Sequence, residues 1–379
     1  MAIRQEAPRG GNHPHDRSLW LPETKQKELL QFTIDEYVKV TALTGIAGLW
    51  YVKQRYDALD GLTPSETELK AIKDGMDIYT NSVMERLLDQ SKIRSNVKAG
   101  EGKKDGMPEI MGWHGAISGH RVDTIVDPID GSSLLTKRLK EAVSFAAFSN
   151  KISDIQSVDY GVFLTVPPEA AQAADLSLTV EGHKKVLKNI CDSLNIEPDE
   201  LTQTMLNPKK PGREINHMFL QAALELGVIP DLIEAGDVMP SLHASLSRKQ
   251  VEDFCNRHNL DPKKHGKPRI VVGRTAFVEK YGASNGSIVT GGASVGHKCH
   301  EDNRTVDTRE KLTHKHFAPG DQDKTAVIAT CVTASDLLGQ QGITEQEDGS
   351  FNVSTFVLTA QDGARILNNN FDPREFALA

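Results

Sequence analysis

The stretch Val122 to Ser133, VDTIVDPIDGSS, constrains this chain more than any other. Val122, Ile125 and Val126 form a short β-branched run that reads as a buried strand. Pro128 removes a ladder hydrogen bond, and Gly131-Ser132-Ser133 is turn chemistry leading into a helix start. The strand therefore delivers Asp127 and Asp130 to one tight turn, with both carboxylates in a small volume. Two such charges about 4 Å apart repel by roughly 4 kcal/mol at an effective dielectric of about 20. A divalent cation relieves that repulsion, and hard oxygen donors suit Mg²⁺ or Mn²⁺. Backbone N–H groups begin to point outward at Ser132, a natural place for an anion. Taken alone, the pentapeptide Asp127 to Gly131 fits a capped surface turn equally well, and its neighbours must decide.

A chain of 379 residues holds one large domain or two of ordinary size, with ample core. Its 38% hydrophobic and 25% charged residues, with a mean hydropathy of −0.39, describe a soluble globular protein. No apolar run approaches the ~20 residues that a membrane span needs, so no membrane partner is expected. A net charge of −8 argues against nucleic acid as a partner. An anionic small substrate would then need locally placed cations. The first residues, MAIRQEAPRGGNHPHDR, lack the apolar core of a signal peptide, which predicts a cytoplasmic protein. Cys191, Cys255, Cys299 and Cys331 are far apart and read as reduced core thiols.

Residues 1–22, rich in Pro, Gly, His and charge, read as a mobile arm. Helical periodicity begins near Thr24, and Val38, Ala42, Ile46, Leu49 and Val52 mark an amphipathic helix. After a turn at Gly61 to Pro64, Ser65 can cap a second helix with the stripe Leu69, Ile72, Met76, Tyr79, Val83 and Leu87. Lys73 and Asp77 lie one turn apart beside that stripe, an arrangement that a plain surface ion pair also explains. Val97 ends a short strand, and Gly100-Glu101-Gly102 places a carboxylate between two flexible residues.

Three segments in this order, KDGMDIYTNSVMERLL, AGEGKKDGMP and VDTIVDPIDGSSLLTKR, resemble the class II (GlpX-type) fructose-1,6-bisphosphatases. These belong to the lithium-sensitive, inositol monophosphatase-like phosphatases, and the last motif, Asp-Pro-Ile-Asp-Gly-Ser, is closer to the inositol monophosphatase form. The resemblance implies an α/β fold, a layered α/β/α/β/α sugar-phosphatase sandwich. An N-terminal α/β domain at 23–170 would carry the metal motifs. A C-terminal sugar-binding domain at 171–379 would include a basic insertion near 245–270. There, Arg248 to Arg269 holds seven Lys and Arg against three acids, as a solvated segment or a gating or interface loop.

The same resemblance assigns metal ligation to Asp77, Glu101, Asp127 and Asp130, with the Ile129 carbonyl as an extra ligand. Ser132 would position the attacking water, Asp77 would bind a second metal or hold its water, and Lys73 would support the charge balance. Mg²⁺ or Mn²⁺ is the implied cofactor. Substrate contacts fall on Gly131, Ser132 and Ser133, and on Lys209, Lys210, Arg213 and His217, which stand in for a Pro-Arg-His helix. Asp237 falls in the turn EAGDVMPSL, where Ala235 replaces the first acid of the family's Asp-Gly-Asp-Val.

One departure is larger. Gly291-Gly292-Ala293-Ser294-Val295-Gly296 resembles a turn in which the family supplies a further metal-ligating Glu, and Val295 occupies that place. His297, His300, Glu301 and Asp302 follow and could rebuild the ligand set. The implied activity is metal-dependent hydrolysis of a sugar-phosphate monoester, with fructose 1,6-bisphosphate as the default substrate and a homodimer or homotetramer as the assembly. Another sugar or cyclitol phosphate is an alternative substrate. A non-catalytic sugar-phosphate binder is an alternative of a different class.

Overall fold

The computed structural model describes residues 22–100, 110–152, 160–276, 286–287, 289–299, 306–313, 325–372 and 374. The expected arm, save residue 22, lies outside them, as do Glu101, His300, Glu301 and Asp302. The chain opens with α1 (Glu23–Asp57), α2 (Glu66–Gln90), β1 (Arg94–Ala99), β2 (Gly112–His114), β3 (Arg121–Asp130), α3 (Ser132–Thr136) and β4 (Val143–Ser149). It continues through β5 (Tyr160–Val166), α4 (Val180–Leu194), β6 (Thr202–Leu206), α5 (Asn216–Leu226), β7 (Ile229–Ile233) and α6 (Val238–Ala244). Then come α7 (Arg248–His258), α8 (Pro262–His265), β8 (Arg269–Ala276), β9 (Ala293–Cys299) and β10 (Val306–Thr313). It closes with β11 (Ala326–Cys331), β12 (Thr344–Glu345), β13 (Phe351–Thr359) and β14 (Gly363–Phe371).

Two mixed sheets organise these elements. The first runs β12-β13-β11-β4-β3-β1-β2, with β14 also paired to β13, and the second runs β10-β9-β5-β8-β6-β7. Alternation along the strands sends side chains to both faces, and the buried residues accordingly fall into layers. Val126, Ala146, Phe148 and Ile328 of the first sheet pack on α1 and α2. Ile125, Val143, Phe145 and Phe356 point the other way, onto Met239 and Leu242 of α6, Phe254 of α7 and Phe163 of the second sheet. Val162, Leu164 and Val272 face outward onto α4 and α5. The order is α/β/α/β/α, as the resemblance implies.

The two sheets do not follow the expected division at 170/171. β5 already belongs to the second sheet, and β11 to β14 return to the first. β11 inserts antiparallel between β4 and β13, so the last strands complete the N-terminal half's own core. The basic segment near 245–270 also differs from a solvated insertion. Ser247 caps α7 with a capping box, and Val251, Phe254 and Cys255 bury themselves between the sheets while the charges face out.

α2 follows expectation. Ser65 caps it through a capping box with Glu68, and Ile72, Met76, Val83 and Leu87 are buried. α1 is buried more completely than a one-sided stripe requires: every residue from Val40 to Gly48 is enclosed. Threonine makes this possible, because its hydroxyl can return to a carbonyl of the preceding turn. Thr44 Oγ1 donates to Val40 O at 2.8 Å. Thr41 Oγ1 bonds Thr330 Oγ1 of β11 at 2.8 Å, and Thr330 bonds Thr355 of β13 at 2.9 Å.

Tyr37 is the largest polar anchor of this layer. Its ring stacks on Phe148, and its hydroxyl meets Ser95 Oγ of β1 at 2.6 Å and Thr124 Oγ1 of β3. Burial pushes its phenol up to about 12. Tyr37→Phe strands two buried hydroxyls on adjacent strands and is expected to cost about 1–2 kcal/mol in urea unfolding. An unchanged midpoint would mean that Ser95 and Thr124 satisfy each other without it.

Candidate active site

The site begins with a fault in one strand. β3 pairs with β4 through Asp127↔Phe145 and then Asp130↔Val143, so three steps along β3 match two along β4. In a regular strand, residues three apart point to opposite faces; one extra residue restores the same face. Asp127 and Asp130 therefore share the face of Phe145 and Val143, toward the middle layer. Pro128 lies in the bulge, where the absent N–H has no ladder partner to lose. Ile129 turns the other way, and a Cβ on Gly48 of α1 would lie 3.2 Å from Ile129 Cδ1.

Both aspartates are enclosed, Asp127 at 1% exposure and Asp130 at 2%. Asp130 Oδ2 accepts the Val238 N–H at 2.9 Å, tying β3 to the first residue of α6. Asp237, the N-cap residue of α6, is 3% exposed and thus arrives at the same turn. Close approach of the two loops depends on glycine. Gly131 (φ 77°) and Gly236 (φ 73°) are both left-handed, and a Cβ on Gly131 would sit 3.3 Å from Gly236 Cα.

Asp77 reaches β3 from its other side. α2 packs on this strand, Asp77 is largely buried, and Lys73 Nζ donates to Asp77 Oδ2 at 2.5 Å. The expected Lys–Asp pair is thus half enclosed rather than on an open surface. Glu101 lies outside the described residues. The described chain reaches Gly100 beside Val126, where a Cβ would lie 3.4 Å from Val126 Cγ2, one residue before Asp127.

Ser132 is the first residue of α3, and the N-cap position belongs to Gly131, which makes no side-chain cap. The helix start is where the sequence indicates, but the capping role open to Ser132 is not its role. Both Ser132 and Ser133 are partly exposed at the turn.

The basic loop after β6 braces the site from the side. Lys210 Nζ pairs with Glu234 Oε2 at 2.7 Å and donates to Glu234 O at 2.9 Å; Arg213 donates to Glu234 O at 3.0 Å. The Lys210 ammonium holds the Glu234 carboxyl below its usual range, helped by Asn207. Lys209 and His217 are exposed, at this loop and in the first turn of α5.

Val295 lies elsewhere. The turn closes at Gly291-Gly292, and residues from Ala293 onward form β9. Val295 pairs with Leu164 and is buried against the α4 and α5 layer. A metal-ligating Glu has no counterpart at this position, because the position is strand core. His297, on the same strand, is also buried.

Among the described residues, no group of three His, Cys, Asp or Glu side chains stands close enough to hold a metal ion. The buried acids of the β3 and α6 ends, Asp127, Asp130 and Asp237, are all carboxylates, the hard donors that suit a divalent cation of the magnesium type.

Residues 70–370 match the model of the bacterial fructose-1,6-bisphosphatases, glpX-encoded. The chain belongs to this family. It is 30% identical over 175 residues to fructose-1,6-bisphosphatase 2 class 2 of Escherichia coli (strain K12), covering 45% of this chain and 51% of that one. It is 27% identical over 141 residues to the D-fructose 1,6-bisphosphatase class 2/sedoheptulose 1,7-bisphosphatase of Synechococcus sp. (strain CC9311), covering 36% and 41%. The matches thus span about half or less of these relatives. The family is one of metal-dependent phosphatases.

In this GlpX-type chain, sequence reading missed Glu141. Its backbone is left-handed (φ 73°), and its carbonyl lies 3.2 Å from where a Gly236 Cβ would be. Its carboxylate accepts from Asp336 N at 2.5 Å and Ser335 Oγ at 2.8 Å, while burial pushes its carboxyl up. Nothing in the run LKEAV signals such a clamp. Gly131→Ala forces a Cβ into a left-handed position against Gly236. It is expected to lose about 1–2 kcal/mol of stability. A variant with an unchanged urea midpoint would show that the two loops need no such approach.

Proposed function

We propose that this protein hydrolyses a sugar-phosphate monoester, with fructose 1,6-bisphosphate as substrate, giving fructose 6-phosphate and phosphate. The observation that carries this reading is the β3 bulge, which sets Asp127 and Asp130 on one face and lets Asp130 bond the Val238 N–H beside Asp237. Mg²⁺ or Mn²⁺ would be held by Asp127, Asp130, Glu101 and the Ile129 carbonyl, with Asp77 serving a second ion or its water. When bound, such a cation supplies charge to the phosphoryl oxygens and acidifies water.

The chain's own groups do the positioning. Ser132, partly exposed beside Gly131, orients the attacking water through its hydroxyl. Lys73 directs the Asp77 carboxylate through their 2.5 Å contact. Gly131 and Ser133 border the phosphate, and Asp237, Lys209 and His217 border the sugar. Water attacks phosphorus, the ester oxygen leaves with the sugar, and no covalent enzyme intermediate forms. Electrostatic stabilisation dominates such a transfer, because its charge is spread over the phosphoryl oxygens.

A different sugar or cyclitol phosphate is favoured by one observation. Lys210 and Arg213 are committed to Glu234, so the cations expected at the substrate are partly engaged. The non-catalytic reading draws on Val295 standing where a ligating Glu is expected, and Val295 is buried in β9. The four cysteines are free and buried, in keeping with a reducing cytoplasm. No helix among the described residues is long and apolar enough to cross a membrane. A homodimer or homotetramer would cover Met111, Trp113 and Ile117, exposed in and beside strand β2 at the edge of its sheet.

Phosphate release from a panel of sugar and inositol phosphates is expected with Mg²⁺ or Mn²⁺ and abolished by chelation; full turnover in excess EDTA would remove the mechanism. Ser132→Ala is expected to lower kcat by roughly a hundredfold. Because Ser132 is not the cap, its stability should hold, and Ser132→Thr should restore most of the rate. Near-normal kcat in the alanine variant would release Ser132 from this role.

A further inference from the structure

The loops that meet at Gly131 and Gly236 rest on a two-residue floor. A Cβ on Gly131 would lie 3.5 Å from Ala142 Cα, and a Cβ on Gly236 would lie 3.2 Å from Glu141 O. Glu141 and Ala142 close the connection from α3 to β4, and β4 begins at Val143, the partner of Asp130. The position of this floor therefore sets how closely Gly236, Asp237 and Val238 approach Asp130, whose Oδ2 accepts the Val238 N–H at 2.9 Å.

The floor takes its own position from a distant part of the chain, the segment after β11. Ala142 O accepts the Val332 N–H at 2.9 Å and the Thr333 N–H at 3.2 Å, and the Ala142 N–H donates to Thr333 Oγ1 at 3.0 Å. The Glu141 N–H donates to Ala334 O at 2.9 Å. The Glu141 carboxylate continues along the same segment, accepting from the Ser335 hydroxyl, the Asp336 N–H and, at 3.3 Å, the Leu337 N–H. That segment is itself closed: Ser335 and Gln340 exchange backbone hydrogen bonds at 2.8 and 3.0 Å, and Leu338 is buried in the middle layer. One acidic side chain thus spans from the 335–340 turn to the floor beneath Gly236. A left-handed backbone at a glutamate (φ 73°) is unfavourable by itself and persists where its surroundings over-determine it. Three hydrogen bonds to one carboxylate, together with the backbone bonds beside it, do so here.

We propose that Glu141 is a positioning residue for phosphoryl transfer: its carboxylate locks the 335–340 turn to the floor, and the floor holds the Asp237–Val238 end of α6 in register with Asp130. The effect on turnover rests on the sugar-phosphatase reading; the effect on the loops does not. Glu141 lies behind the turn and acts through Gly236 and Ala142, so it controls the separation of two loops from different sheets. Such separations matter steeply for rate, since a misplacement of about 1 Å lowers turnover by as much as about a hundredfold.

The test compares the full-length protein with Glu141→Ala and Glu141→Gln. Glutamine keeps the side-chain length, an oxygen to accept from Asp336 and Leu337, and an amide to donate to the Ser335 hydroxyl; alanine keeps none of these. With fructose 1,6-bisphosphate and Mg²⁺, well below the melting temperature of each variant, Glu141→Ala is expected to lower kcat about ten- to a hundredfold while KM moves less than about twofold. Glu141→Gln should recover most of that rate. Hydrogen exchange requires no turnover: the Val238 amide should exchange about tenfold faster or more in Glu141→Ala and return towards the native rate in Glu141→Gln. A native exchange rate at Val238 in Glu141→Ala would overturn the inference while leaving the phosphatase reading intact. Equal acceleration at Val238 and at Leu187 of α4, in the outer layer, would also overturn it, because the loss would then be general loosening. If the native protein hydrolyses no sugar phosphate but Glu141→Ala still frees the Val238 amide selectively, the phosphatase reading falls and the link between the two loops stands.

Discussion

The extra residue in β3 is the constraint on which the rest of the site depends. Without it, Asp127 and Asp130 would emerge on opposite faces of the first sheet, one toward α1 and α2 and the other toward α6. With it, both carboxylates face the middle layer, and Asp130 can bond the start of α6. Bulges bend a strand and re-aim its side chains, and they collect beside functional sites for that reason. Proline suits this place because it asks nothing of the ladder. Pairing of the preceding β3 residues to β1 on one edge and β4 on the other, and of Asp130 to Val143 beyond the bulge, keeps the irregular register from slipping.

A second consequence is the close contact of two loops from different sheets. Gly131 follows β3 in the first sheet, and Gly236 follows β7 in the second. Their left-handed backbones let the Cα atoms approach, and Glu141 closes the arrangement from behind with a left-handed backbone of its own. A non-glycine residue in that region stores strain, which the bonds from Ser335 and Asp336 offset. The two sheets therefore meet at a seam, where the end of β3 approaches the loop after β7. Lys210 and Arg213 brace the Glu234 end of that seam.

Local order differs between the two sheets: Lys73 and Asp77 of α2 are in contact beside β3, whereas the basic side chains of the loop after β6 turn to Glu234. The motif residues on α2 and β3 keep their expected acids, and Lys73 and Asp77 are in contact. On the other side, Lys209 to His217, expected to stand in for a Pro-Arg-His helix, run along the loop after β6 into α5, and Asn216 is spent on bridging β6 and β8. Arg274 then lies beside this altered loop with its charge unanswered by any described carboxylate.

What the sequence determined by itself was local. The capped start of α2, the strand ending in Asp-Pro-Ile-Asp, the turn after it and the buried cysteines all follow from propensity, pattern and turn chemistry. The resemblance added the layer order and the roles of the acids. Tertiary structure decided the rest, because each remaining feature depends on residues far apart in the chain. The enclosure of α1 requires β11 to return and lie between β4 and β13. The basic 245–270 segment becomes a core helix only because Val251, Phe254 and Cys255 find the space between two sheets. Val295 reads as a vacant ligand position in a line of sequence, yet pairing with Leu164 makes it strand core. Ser132 reads as a cap until Gly131 takes that position in a left-handed conformation. Glu141 and Arg274 carry no local pattern at all; burial alone, set by distant partners, gives their charges meaning.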